Sequence, residues 1–384
     1  MAHASARHTG IDLGPQTSHM RTTLFWLIPD KGVVMQIVAF TAASLAALGI
    51  ALSVARPAWA DPAPVISGPH VHENLAVYFV HGASAPGPVP LTLQEALAKG
   101  SVRVVETGEV NELKVENTGD DDVFIQSGDI VKGGKQDRVL TMSFVLPPKS
   151  GEVGLAAFCV EHGRWSARGA EDVKAFASAA EAMPSRKAKL AMRAPREPAV
   201  AAAAAGDSAS SDTYTRQQEV WASVASTQGK LSENLSAAVA APSSATSLQL
   251  SLENEKLQKA RAAYTDALQP AGEGKEDVIG YVFAINGRIV SADVYPSNAL
   301  YRKMWGKQLA AGVTEAIGEA GDQRAEAPGQ EAAGAFLKAA EMPSAREETV
   351  NGFSRQAVRD ADKALYVEAQ RGDGSWVHRN YLAK

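Results

Sequence analysis

Two short polar clusters hold most of the side chains of this chain that could do chemistry. One is the KQDR run at residues 135–138, and the other is the CVEHGRW run at residues 159–165. Both lie in stretches whose apolar residues alternate as they do in β-strands. A charged side chain in an apolar strand pair destabilises the fold unless it is paired with an opposite charge or has a role in binding or catalysis. We therefore take five side chains as candidate ligand-binding residues: Gln136, Arg138, Glu161, Arg164 and Trp165.

Strand alternation predicts how these candidates divide their roles. If the two strands are neighbours, Arg138 and Glu161 can form a bidentate pair that holds them together; a structural Glu161–Arg164 pair is the alternative. Arg164 and Trp165 then face outward at the strand end, where they would contact a small anionic ligand or an acidic segment of a protein partner. Cys159 is the only cysteine, and we expect a buried, unreactive thiol. Because no second cluster of cysteine and histidine is present, we expect no metal site.

A hydrolase is the alternative interpretation. Asp293 lies in an apolar hairpin, where a carboxylate usually has a partner. Glu161 and Asp293 could act as paired carboxylates on a phosphoester or glycosidic bond if they lie within roughly 5–10 Å of each other. The sequence contains no serine-hydrolase elbow, zinc-protease helix or dinucleotide-binding turn, and the Gly128–Lys135 segment departs from a phosphate-binding loop. We therefore expect no cofactor.

The clearest local pattern is Asn286-Gly287 at the centre of an apolar segment, residues 278–295. These two residues suit the two positive-φ positions of a type I′ hairpin turn. In the simplest register Asp293 stands opposite Gly280, and both faces are largely apolar. We expect a central hairpin that is covered on both sides. Short alternating strands come before it and helical spacings surround it, which predicts an α+β fold: a β-rich N-terminal half plus a central β-hairpin, with helices packed on the sheet.

Composition divides the chain into four parts. Residues 1–60 are a signal peptide and leader, 61–74 a Pro-rich lead-in, 75–318 an α+β domain, and 319–384 a linker, helix and strands that close the domain. Inside the domain, residues 171–193 favour helix. The segment 195–211, rich in Ala, Gly, Ser and Pro, predicts a flexible exposed loop.

The N-terminus carries a secretory pattern. No residue from Gly32 to Ala55 is charged, basic residues precede this run, and a small-x-small site ends at Ala60. We expect cleavage after Ala60 and a periplasmic or secreted protein. An uncleaved leader is just long enough to span a bilayer and would instead anchor the chain in a membrane. The formal net charge of −5 and the lack of a large basic patch argue against nucleic acid as a partner.

Three motifs, in this order and spacing, resemble the ARG-and-Rhodanese-Phosphatase-superfamily-associated protein domain family. They are GDIVKGGKQDRVL, with Gln136 and Arg138; CVEHGRW, with Glu161, Arg164 and Trp165; and GYVFAINGRIVSADVY with the following ALYRKMW, with Asn286, Gly287, Asp293 and Trp305. The likeness runs from about Leu75 to Gly318. The family name implies an association with nucleotide or phosphoester metabolism. The sequence therefore predicts an exported, soluble binding or accessory protein without catalytic activity of its own.

Overall fold

The computed structural model describes residues 64–169, 171–193, 208–321 and 325–384. The predicted signal peptide and leader (1–60) and residues 195–207 of the predicted loop lie outside the described residues. The described residues from 64 onward belong to one compact unit. Strands and helices are both extensive and almost all strand pairs are antiparallel, which confirms the α+β prediction. In the part of the chain that the structure describes, no helix is long and apolar enough to cross a bilayer.

Strands dominate the first part of the described chain, as predicted. In chain order the elements are β1 (Val65–His72), β2 (Leu75–His81), β3 (Leu91–Thr92), α1 (Leu93–Ala98), β4 (Val102–Glu106), β5 (Glu112–Asn117), β6 (Val123–Ile125), β7 (Asp129–Gly133), β8 (Arg138–Leu140), β9 (Phe144–Leu146), β10 (Gly151–Cys159) and β11 (Phe176–Ala182). The short helix α1 begins with a capping box, in which Thr92 accepts a hydrogen bond from the Glu95 N–H and the Glu95 carboxylate accepts one from the Thr92 N–H.

Helices and a second group of strands follow. They are α2 (Arg186–Arg193), α3 (Ser208–Asn234), α4 (Leu248–Leu252), α5 (Glu255–Glu273), β12 (Val278–Ile285), β13 (Arg288–Val294), α6 (Asn298–Gly318), α7 (Gln330–Glu341), β14 (Arg346–Asn351), β15 (Ser354–Ala361), β16 (Ala364–Arg371) and β17 (Trp376–Ala383). The last four strands form a meander at the C-terminal end of the chain.

The predicted hairpin, β12 and β13, lies in the middle of the largest sheet. That sheet has eight strands in the order β1-β2-β12-β13-β17-β16-β15-β14. Tyr281 and Phe283 pack with α6 on one face, and Val282 and Ala284 pack with α7 on the other. Both faces are therefore covered, as the apolar pattern predicts.

The turn of this hairpin has the predicted geometry, but the register beyond it differs. Asn286 and Gly287 both have positive φ, at 50° and 73°. A bulge then shifts the pairing by one residue between Ala284 and Phe283, so that Asp293 stands opposite Tyr281 and not opposite Gly280. A bulge inserts one extra residue into one strand only, and no local sequence rule shows it here. It brings the Asp293 carboxylate onto the same face as the Tyr281 hydroxyl.

Three further expectations are corrected by the structure. The lead-in at 61–74 contains β1, which tolerates Pro69 because it is the edge strand of the sheet and bulges there. Residues 176–182, expected to be helical, form β11, because pairing with β7 outweighs the helix preference of alanine. The predicted loop ends early, since α3 already begins at Ser208.

Two smaller sheets position the predicted site. A six-stranded sheet has the order β11-β7-β8-β10-β5-β4, and a three-stranded sheet has the order β3-β6-β9. In the six-stranded sheet β8 pairs with β10, with Arg138 opposite Cys159. The KQDR and CVEHGRW runs are therefore neighbours in space.

Candidate functional site

Two buried carboxylates form the centre of the predicted site. Asp137 immediately precedes β8 and Glu161 follows the end of β10, and neither exposes any surface. Two buried negative charges are tolerated in an interior only when each is paired and hydrogen-bonded.

Two arginines of the connection between β10 and β11 supply that pairing. Arg164 Nε donates to Glu161 Oε2 at 2.7 Å, and its Nη2 lies 3.4 Å from Asp137 Oδ1. Arg168 donates to both oxygens of Asp137, at 2.9 and 3.1 Å. Burial lowers the pKa of Arg168, but its hydrogen bonds to Asp137 and Glu171 outweigh this and hold the pKa above its ordinary value. Both guanidinium groups are therefore committed to protein carboxylates.

Backbone amides and hydroxyls complete the network. The Gly133 N–H donates to Asp137 Oδ1 at 3.0 Å and the Ser247 hydroxyl to Asp137 Oδ2 at 3.2 Å. The Ser244 hydroxyl donates to Glu161 Oε1. All four carboxylate oxygens thus have protein partners, and the network ties the β7–β8 turn, the Arg164–Arg168 segment and the loop before α4 together.

Arg138 is buried beside this network but does not join it. It pairs with Glu106, with Nη2 and Oε2 3.5 Å apart, and its Nη1 donates to the Gln136 carbonyl at 2.7 Å. The predicted Arg138–Glu161 pair is therefore wrong. Strand alternation does not extend to Glu161, because β10 ends at Cys159 and the chain then turns toward Arg164. Gln136 stays close to Glu161, since its amide Nε2 donates to the Glu161 carbonyl at 2.9 Å.

Arg164 and Trp165 differ in exposure. The Arg164 side chain is only 11% exposed, so its predicted outward position is also wrong. Trp165 is 44% exposed, and its ring lies against Lys135 Nζ at 4.9 Å and Arg138 Cζ at 5.6 Å. Such contacts are attractive because the ring face is electronegative. The structure thus places the five predicted residues near one another: Glu161 and Arg164 in the closed network, Gln136 and Arg138 beside it, and the half-exposed Trp165 ring against Arg138.

The other chemistry candidates lie elsewhere or are inert. Asp293 has Tyr281, His378 and Asn380 as its partners. Within the described residues it shares no partner with Glu161, so the geometry gives no support to a carboxylate pair. Cys159 is fully buried, as expected, and burial raises the pKa of its thiol to about 11.

A cavity of about 460 Å³ lies at a different place, where five elements meet. Its walls come from the start of α2, one face of α3, the β12–β13 turn, the end of α6 and the end of β17. Five cationic side chains line it: Arg186, Lys187, Lys230, Arg288 and Lys384. Glu315 and Glu319 are the acidic ones, and Ser185, Ser223, Ser226 and Thr227 supply hydroxyls. The volume is in the range of small-molecule sites.

The cationic side chains of this cavity differ in whether they already have a partner within the protein. Lys230 pairs with Glu319 at 2.6 Å, and Lys384 pairs with Asp360 at 2.7 Å. Arg186 donates to the Ala383 carbonyl, while its Nε is buried and has no partner among the described residues. Lys187 and Arg288 are exposed on the rim, and no partner is seen for either in the described ranges. The cavity therefore keeps unused positive charge.

Sequence reasoning missed this cavity because its lining residues come from five separate elements. The only local signal is spacing on α3, where Ser223 and Thr227, and also Ser226 and Lys230, stand four residues apart and share a helix face. A polar helix face is usually a solvated one, so this spacing alone does not indicate a site.

The comparisons with known proteins agree with the motifs described above. A family model described as the ARG and Rhodanese-Phosphatase-superfamily-associated Protein domain matches residues 64–382, a longer stretch than the expected 75–318. No curated protein and no solved structure matches this chain. Because the family match covers well over half of the sequence, the chain belongs to the ARG and Rhodanese-Phosphatase-superfamily-associated Protein domain family.

Proposed function

We propose that this protein is an exported binding protein whose ligand is a small anion held in the cationic cavity. The observation that carries the proposal is the lining of the cavity: five cationic side chains against two carboxylates around about 460 Å³. Like charges crowded into a partly enclosed space repel one another, and an anion relieves that repulsion while accepting hydrogen bonds from the same groups.

The buried charge network is a poorer place for such a ligand. Its two arginines already contact Asp137 and Glu161, and an anion would have to displace these carboxylates. We therefore assign Gln136, Arg138, Glu161 and Arg164 a structural role in this proposal. The hydrolase alternative would need Glu161 and Asp293 to face one cleft, and their separate partners do not favour it.

The binding proposal is tested by removing the two cations that have no described partner. We expect Lys187→Ala with Arg288→Ala to weaken the binding of inorganic phosphate by about tenfold or more, because each lost charge removes a direct attraction. The matched control is Lys256→Ala with Lys259→Ala, which removes the same charge from exposed positions of α5 outside the cavity. Isothermal titration calorimetry measures the phosphate affinity of each double variant. Equal affinities in the two would show that phosphate does not bind in this cavity.

Export is proposed from the N-terminal sequence and needs its own test. The apolar run from Gly32 to Ala55 and the site at Ala60 support cleavage there. We expect the recovered protein to begin at Asp61 and to be found in the periplasm or the medium. Full-length protein in the cytosolic fraction would contradict this. Mass spectrometry of small molecules that co-purify with the exported protein would identify the natural anion.

A further inference from the structure

One acidic side chain projects into the cationic cavity from α6. Glu315 is half-buried there, and its Oε1 accepts a hydrogen bond of 3.0 Å from the Arg186 N–H at the start of α2. No hydrogen bond to its other oxygen, Oε2, is seen from the described residues. A carboxylate with one oxygen anchored and the other open to a cavity can accept a hydrogen bond from a ligand.

Charged groups face Glu315 from every element around the cavity. Its neighbours of both signs are Arg186, Lys187 and Lys189 on α2, Lys230 on α3, Arg288 on β13, Glu319 on α6 and Lys384 after β17. Burial raises the pKa of Glu315 above its ordinary value, although the Arg186 N–H and nearby cations partly oppose this. A second negative charge entering the cavity would raise that pKa further.

We propose that Glu315 makes the cavity selective for oxyanions that carry a hydrogen, namely phosphate and phosphomonoesters, over the fully ionised sulfate. This inference rests on the proposed function, since it concerns the same cavity. A monoprotonated phosphate group donates its P–O–H hydrogen to the carboxylate while its other oxygens accept from the cations. Sulfate has no hydrogen to donate near neutral pH, so an oxygen of sulfate and the Glu315 carboxylate would meet as two unprotonated anions.

The preference for phosphate over sulfate should depend on pH, because the anions and Glu315 change their protonation with pH. Inorganic phosphate keeps at least one hydrogen over the whole pH range, because even its dianion carries one. A phosphomonoester has its second pKa near 6, so it carries a hydrogen mainly below that pH. Sulfate can bind only if Glu315 itself takes up a proton. Sulfate affinity should therefore rise as pH falls, by at most about tenfold per pH unit for the uptake of one proton.

Calorimetry with the exported protein tests the inference, using inorganic phosphate, glycerol phosphate and sulfate as probes between about pH 5.5 and 8. At neutral pH we expect wild type to prefer inorganic phosphate over sulfate by about tenfold or more, and glycerol phosphate to bind more tightly as the pH falls toward about 5.5 and its monoprotonated form becomes the main species. Glu315→Gln should abolish the preference, mainly because sulfate binds more tightly, and should remove the rise of sulfate affinity at low pH. The glutamine keeps an oxygen that can accept the Arg186 N–H. Near about pH 5.5, where both probes carry a hydrogen, the tighter binding of inorganic phosphate or of glycerol phosphate distinguishes free phosphate from an ester.

Glu276→Gln is the matched control. Glu276 has the same charge, but it is exposed and does not line the cavity. This variant should keep the preference for phosphate. If wild type binds sulfate as tightly as phosphate, with an affinity that does not change with pH, the selectivity inference is wrong while the binding proposal stands. If none of the probes binds at millimolar concentration over the whole pH range, both proposals fail.

Discussion

At the scale of single residues, several buried carboxylates of this protein are stabilised by dedicated partners. Asp293 is the clearest case. Its Oδ1 accepts hydrogen bonds from Asn380 Nδ2 at 2.8 Å and contacts His378 Nε2 at 2.9 Å, and its Oδ2 accepts from the Tyr281 hydroxyl. Burial alone would raise the pKa of Asp293, but His378 and Tyr281 outweigh it and hold the pKa below the ordinary value.

The lowered pKa of Asp293 predicts a loss of stability in acid. Because the folded-state pKa lies below the ordinary value of 3.8, the ionised group stabilises the fold above that pH. The contribution disappears as the pH falls through the folded-state pKa. Asp293→Asn should therefore be less stable than wild type at neutral pH, and its stability should fall less steeply in acid.

Urea unfolding between about pH 2.5 and pH 7 measures this difference. The control is Asp120→Asn, at a position where the side chain is 91% exposed, and its curve should follow that of wild type. A curve for Asp293→Asn that runs parallel to wild type at every pH would show that this carboxylate contributes nothing to the acid dependence.

Removing one carboxylate of the buried charge network should destabilise the fold strongly. Glu161→Ala leaves Arg164 buried without its closest partner, and breaking a buried pair in this way costs about 3–5 kcal/mol. Arg164→Ala should cost a similar amount, because it leaves Glu161 uncompensated. Thermal unfolding gives the comparison, with Glu152→Ala as the control, since the Lys114–Glu152 pair is exposed and should contribute little. If Arg164→Ala melts at the same temperature as wild type, Arg164 has no structural role, and the ligand-binding role predicted from the sequence is favoured again.

At the scale of elements, one glycine of α6 allows this helix to lie close to the central sheet. A Cβ at Gly312 would lie 2.6 Å from Phe283 Cε2, whereas a Cβ at Gly306 would meet nothing within 4 Å. Gly312 therefore allows the helix to pack against β12, and Gly306 has no such role on the exposed side.

The same substitution at these two positions of one helix should have opposite effects. Gly306→Ala should stabilise the protein by up to about 1 kcal/mol, because alanine is the better helix former. Gly312→Ala should destabilise it, because the new methyl group overlaps the Phe283 ring and the core must shift; overpacking of this kind costs about 1–3 kcal/mol. Chemical denaturation measures the free energy of unfolding of each variant relative to wild type. Equal effects of either sign would mean that α6 does not pack as the structure shows.

At the scale of the whole molecule, the two parts of the chain on either side of residues 194–207 share one sheet. Strands β1 and β2 come from the first part, and β2 pairs along its length with β12 from the second part. The connection between the parts is therefore unnecessary for holding them together once the protein is folded.

Cutting the chain between the two parts should leave them associated. A site for a specific protease placed within residues 195–207 should yield two fragments that co-elute in size-exclusion chromatography without denaturant. They should separate only in urea, where the β2–β12 pairing and the shared core are lost. An identical site inserted at Gly352, in the exposed turn between β14 and β15, is the control for the accessibility of an inserted loop. Fragments that separate in buffer would show two independent domains.

Local chemistry was enough to predict the turn of the central hairpin. The Asn286-Gly287 turn depends on two adjacent residues, whose types favour positive φ. The α+β class follows from the alternating and helical spacings of apolar residues along the chain. These features are decided by interactions over a few residues, which is why the sequence alone determined them.

Only the tertiary structure decided which charges are paired and where a ligand could bind. Whether Arg138 meets Glu106 or Glu161 depends on where β10 ends, and the partner of Asp293 depends on a bulge beyond the hairpin turn. The cationic cavity draws its lining from five elements, so its residues meet only after α2, α3, α6 and the sheet have packed together. Packing and desolvation act between residues distant in the chain, and no local pattern in one sequence carries that information.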